Sequence, residues 1–216
     1  AVGADSLSAA TTGHSNTAVG KEAGEALTTG ISTVFIGSGA GEAATTGDYN
    51  TAVGADALTA LTTASNNTAV GYAALISATT GGYNSALSRQ ALYSTTTGTY
   101  NTAAGSSALY TNTTGGDNVA IGADALLDAT TGNRNTALGK SAGANLTTGD
   151  DNTAIGRMAL FTATTISDTV AVGKNALYSM TTGAGNTAVG YEAGTTLTTA
   201  ANTTAIGYEA LTALTT

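Results

Sequence analysis

Hydrophobic and polar positions along this chain repeat every 17 residues. Aligned on the phrase Asn-Thr-Ala-Val-Gly, copies start at Asn16, Asn50, Asn67, Asn101, Asn135 and Asn186, always a multiple of 17 apart. The unit reads N-T-A-V-G-x-x-A-L-x-x-x-T-T-G-x-x, numbered below as positions 1 to 17 of a coil. The glycine at position 5 recurs from Gly3 to Gly207, with Ser88 the one break, and no insertion or deletion interrupts the series. The Thr pair recurs 13 times, from Thr11-Thr12 to Thr215-Thr216. Position 8 is Ala from Ala23 to Ala210, Ser6 being its departure, and position 9 is Leu except at Gly24, Gly41, Gly143 and Gly194.

A helix-pair repeat needs more than about 30 residues, so a 17-residue unit rich in β-branched residues and punctuated by Gly predicts strands. Thr-Ala-Val predicts one short strand, Ala-Leu the start of a second, and Thr-Thr-Gly with two variable residues the turn back to the next Asn. Each unit is then one coil, and strands of successive coils pair in parallel about 4.8 Å apart, roughly 60 Å over nearly thirteen coils. The expected architecture is an all-β parallel β-solenoid, or β-roll, forming a single repeat domain over residues 1–216. Strict length follows, because a change in one coil would break the register of its neighbours.

Each column carries its own expectation. Position 1 is Asn in nine of twelve copies, with Thr33, Thr169 and Thr203 as replacements, and predicts an amide ladder at a tight corner. Within the strand, side chains alternate faces. Val19, Val53, Val70, Ile121, Ile155 and Ile206 read as packing inward, with Ala18, Ala52, Ala103, Ala154 and Ala188 on the opposite face. That Ala column varies only at Phe35, which predicts that its face is covered too, by the coil's own opposite wall or by another chain. A thin Ala and Val core also favours association into a homo-oligomer. The Leu column reads as apolar filler, and its Gly replacements predict local thinning of the core.

Composition narrows the function classes. The chain is 42% hydrophobic but only 9% charged and 5% aromatic, with no Trp, Cys or Pro, so it is expected to be ordered without disulfides or thiolate metal sites. The net charge of −8 is scattered, which makes nucleic acid a poor partner. No window of about 18 apolar residues exists for a membrane span, and no secretory leader is visible. The single histidine, His14, lies in a variable turn, and Asp150 and Asp151 are adjacent acids in another, so neither a Ser-His-Asp set nor a His-metal set assembles. Acidic pairs such as Asp150-Asp151 occur only sporadically, and the glycine-aspartate nonapeptide of calcium β-rolls is missing. The expectation is no enzyme, no metal and no cofactor. Weak binding candidates are the tyrosines at variable positions, Tyr72, Tyr83, Tyr93, Tyr100, Tyr110, Tyr178, Tyr191 and Tyr208, which offer apolar area and a hydroxyl. The competing reading of those residues is that Tyr simply suits half-buried strand and turn edges.

The phrases Asn118 to Gly122, Asn152 to Gly156 and Thr169 to Gly173 resemble the head repeats of trimeric autotransporter adhesins. The longer unit also resembles repeats of phage tail-fibre proteins and large bacterial surface proteins. The resemblance spans the chain, although the unit is longer than the adhesin one. It implies a left-handed β-roll, three chains about a common axis, and an extracellular role on a cell or virion surface as a stiff rod or receptor-binding head.

Two other readings follow from the pattern. Ice-binding solenoids also stack Thr in ladders, but their ranks need two outward columns separated by one inward residue, whereas adjacent Thr residues in a strand face opposite ways. The Thr pair therefore reads as a turn ladder. The remaining expectation is either an excerpt of a longer fibre or an end-to-end filament, since neither Ala1 nor Thr216 belongs to an atypical capping coil.

Overall fold

A computed structural model describes residues 1–213, leaving the last Thr pair, Thr215-Thr216, outside the described residues. Among the described residues the chain is an all-β parallel β-solenoid of twelve three-residue strands and about 11 turns. It divides into two compact units, Ala1–Ser107 and Ala108–Thr216. The first holds β1 (Thr17–Val19), β2 (Val34–Ile36), β3 (Thr51–Val53), β4 (Thr68–Val70), β5 (Ser85–Leu87) and β6 (Thr102–Ala104). The second holds β7 (Val119–Ile121), β8 (Thr136–Leu138), β9 (Thr153–Ile155), β10 (Val170–Val172), β11 (Thr187–Val189) and β12 (Thr204–Ile206). Within each unit neighbouring strands pair in parallel at an offset of one repeat, Ala52 opposite Ala69 and Ala171 opposite Ala188, for example. The thirteenth copy of the phrase contributes only an isolated bridge, Val2 to Val19.

The expected second strand is absent from the described residues, and tight turns take its place. In the coil from Asn16, amides of Ala23, Glu25 and Leu27 donate to the carbonyls of Gly20, Glu22 and Gly24. Glu22 and Gly24 sit third in the first two of these turns with φ of 59° and 60°, as a type II turn requires. Positions 7 and 9 adopt this left-handed backbone in coil after coil, including Leu58, Leu75 and Leu126. Alternating left-handed residues curl the chain where an Ala-Leu pattern alone reads as extended. The remaining amides bridge coils, Glu22 to the Ala4 carbonyl on one side and Gly24 to the Ala40 carbonyl on the other.

The structure reverses the expected sides of the strand. Ala18, Ala52, Ala69, Ala103, Ala137 and Ala188 are buried, whereas Val19 is 40% exposed and Val70 39%. Alternation places Val opposite Ala, but the space available decides which points in. A coil closed by consecutive turns must seat positions 3, 8, 9 and 12 in one small section, and only a methyl fits at position 3. The Ala face is thus covered by the coil's own opposite wall, the buried Ala57, Leu58 and Leu61 in the coil from Asn50.

Phe35 is the exception that measures this space. It is fully buried, and a Cβ on Gly41 would lie 2.6 to 2.8 Å from its ring carbons, while one on Gly24 would lie 2.7 Å from Cδ2. The ring occupies room that two missing Leu side chains leave. At the other Gly substitutions, and at Gly24 itself, a buried Leu stands three residues on, at Leu27, Leu146 and Leu197. The core is therefore refilled rather than thinned, and glycine at position 9 relieves the left-handed strain that Leu otherwise bears there.

Candidate interaction surface

Two ladders line the coil corners as expected. At position 1 the Asn50 Oδ1 accepts from the Asn67 amide and the Asn67 Oδ1 from the Asn84 amide, each at 3.0 Å. The side-chain amides donate to the carbonyl closing the next turn, Asn135 Nδ2 to Gly149 at 2.7 Å. These Asn residues are buried, so the ladder satisfies interior backbone groups and joins coils at once. At position 13 Thr hydroxyls donate to the matching carbonyl of the next coil, Thr28 to Thr45 at 3.1 Å and Thr130 to Thr147 at 3.2 Å. The second Thr of the pair, such as Thr29 and Thr131, is exposed.

The outward face of the strands is the surface that sequence reasoning placed inside. Position 4 presents Val19, Ile36, Val70 and Leu87 in the first unit and Ile121, Leu138, Val189 and Ile206 in the second, all at least 37% exposed. Position 2 runs beside it with Thr, Val or Ser, so neither column carries a charge. Because successive strands pair in register, the two columns form a plane with one inward residue between them.

The tyrosines fall into three groups. At position 17, Tyr83 and Tyr100 are 55% and 56% exposed and stack with centroids 4.9 Å apart. At position 6, Tyr191 and Tyr208 stack at 5.2 Å, with the Lys174 ammonium 5.0 Å from the Tyr191 centroid. Tyr72 shares that position in the first unit and is 52% exposed. At position 10, Tyr93, Tyr110 and Tyr178 are half-buried, and Tyr178 stacks on Phe161 at 5.2 Å. The structure brings these rings together as ladders along the coils, not as one cluster, and the stacked pairs spend ring faces on each other.

Charge is local and paired in places. Arg134 donates to both carboxylate oxygens of Asp151 at 2.7 and 2.8 Å, which raises the Arg134 pKa and lowers that of Asp151. Hydrogen bonding to Glu192 raises the Tyr191 pKa, and hydrogen bonding to Glu209 does the same for Tyr208. Lys21 pairs with Glu22 at 2.8 Å. Among the described residues no three His, Cys, Asp or Glu side chains gather where they can hold a metal ion, and no helix is long and apolar enough to cross a membrane.

No family model matches the chain, and neither a curated protein nor a solved structure matches it.

Proposed function

We propose that this chain is a structural or adhesive fibre segment, extracellular on a cell or virion surface, whose copies associate side by side through positions 2 and 4. A homotrimer is the favoured assembly, with a cell-surface or host receptor as the external partner. The observation that carries this reading is the uncharged, exposed aliphatic column at position 4, repeated in coil after coil. Contiguous apolar surface of this kind marks a contact face. On a chain of net charge −8, an uncharged face is also where a second copy approaches with least repulsion. The resemblance to adhesin heads supports three chains in preference to two.

Light scattering on the purified chain tests the assembly. A trimer has a mass of about 62 kDa, three times 20.8 kDa. The double variant Ile36→Lys/Val70→Lys replaces side chains that are 37% and 39% exposed, so the fold tolerates it and the assembly falls to monomer. A wild-type chain that stays monomeric at high concentration refutes the reading.

One observation favours a second reading, ice binding. Positions 2 and 4 are two outward columns separated by one inward residue on a registered parallel ladder, the arrangement that the Thr pair lacks. Thr and Val methyls alternating on such a plane suit an ordered water lattice. Thermal hysteresis decides it, because none at millimolar protein eliminates ice binding.

A further inference from the structure

Five of the six basic residues, Lys21, Arg89, Lys140, Arg157 and Lys174, stand at position 6, and none of the 14 acids does. Lys140, Arg157 and Lys174 occupy successive coils of the second unit, so their stems repeat about every 4.8 Å along the ladder. All three are exposed. Where Lys21 has Glu22 at position 7 to neutralise it, these three have Ser141, Met158 and Asn175. None of the ion pairs among the described residues involves them. Asp124 bounds the run on one side and Glu192 on the other, both at position 7. Three stacked like charges repel one another, so the run is unfavourable alone and is relieved by an anion that spans it.

We infer that Lys140, Arg157 and Lys174 form a binding strip for a linear anionic polysaccharide that carries a carboxylate or sulfate on successive sugars. This deepens the adhesive reading and rests on it. The polymer lies along the ladder, placing one anionic group against each cation, because an extended glycan repeats at a spacing close to that of the coils. A single-stranded nucleic acid fits less well. Its bases need open aromatic faces, and Tyr191, the nearest ring, has Lys174 over it and Tyr208 stacked on it.

Retention on immobilised dextran sulfate and polygalacturonate, with neutral dextran and poly(dT) alongside, tests the strip. For three ion contacts on a flexible polyanion, log K falls with log salt at a slope of about −2, so a threefold rise in salt weakens binding about ninefold. The triple variant K140S/R157S/K174S removes the cations, and serine already occupies position 6 at Ser38 and Ser106, so the fold is kept. It is expected to lose both retention and the salt dependence, while Lys21→Ser behaves as wild type. Neutral dextran retains neither protein. Equal retention of the triple variant, or no wild-type retention on either polyanion, overturns the inference. Tighter retention on poly(dT) than on both polysaccharides overturns it in favour of nucleic acid. Light scattering on the same samples keeps the two claims apart, since an assembled chain that ignores polyanions loses the strip alone, and a monomeric chain loses the fibre.

Discussion

Phe35 and Gly41 are predicted to be coupled so strongly that each substitution alone is harmful and the pair together is nearly silent. Phe35 is fully buried, so Phe35→Ala leaves a cavity and costs about 3–5 kcal/mol. Gly41→Leu drives a Cβ to within 2.6 Å of the Phe35 ring, overpacking by about 1–3 kcal/mol. Its φ of 60° adds about 1–2 kcal/mol for a left-handed side chain. The double variant rebuilds the composition of the coil with Ala69, Leu75 and Ala78, all fully buried, and is expected to lose no more than about 2 kcal/mol. The departure from additivity is then at least about 3 kcal/mol, large even for residues in contact. Repeat arrays do not unfold as one unit, so amide hydrogen exchange in β2 and β3 is the suitable assay. Exchange that is fast in both single variants and restored in the double is the expected result. If the two effects simply add, the account of a ring seated in space left by missing Leu side chains is wrong.

Three further outcomes follow from the ladders and turns. Ser88 is the one non-glycine at position 5 and has φ of 140°, a region that only Gly occupies freely, so Ser88→Gly is expected to stabilise the first unit by about 1 kcal/mol in thermal melts. Asn67→Ala removes the acceptor of the Asn84 amide and the donor to the Gly81 carbonyl, both buried, and is expected to cost about 2–4 kcal/mol with exchange rising at Asn84. Arg134→Ala returns the depressed Asp151 carboxyl toward its ordinary range, read by carbon NMR titration. The depressed pKa means that this pair's contribution is present above the ordinary carboxylate range and is lost as pH falls through the lowered value.

The period, the parallel register and both corner ladders were legible because each depends on residue identity at a fixed spacing. Asn at position 1 can do little else at a buried corner, and a Thr hydroxyl beside a turn finds the next coil's carbonyl. The side of the strand that faces the core was not legible from alternation, which is symmetric and separates Ala18 from Val19 without orienting either. A signal for it did exist. Phe35 coincides with Gly24 in the coil before and Gly41 in its own, a compensated substitution that places position 3 against position 9 inside the coil. The left-handed backbone at Leu58 and Leu75 was hidden because Leu is a poor marker of positive φ, and the glycines that mark it well looked like losses of core volume. The tyrosines stand on variable columns, and their stacking in pairs follows from the 17-residue offset between Tyr83 and Tyr100 and between Tyr191 and Tyr208, which the sequence displays openly.

Left-handed residues at positions 7 and 9 close the coil so tightly that position 3 admits only a methyl, with Phe35 as the compensated exception. Once Ala must face inward, alternation forces position 4 outward, and β-branched residues that favour strand geometry are placed in solvent. The exposed aliphatic face is thus a direct consequence of how the coil closes. An isolated chain gains nothing from keeping Val, Ile or Leu there, since Thr has equal strand propensity and is compatible with water. Retaining aliphatic side chains at position 4 in every described coil but that of Ala104, while position 2 drifts among Thr, Val and Ser, fits a column held to its character by something it touches. A column so held favours lateral contact over a merely tolerated surface, and Thr substitutions along position 4 are expected to leave each coil folded while weakening association in proportion to their number.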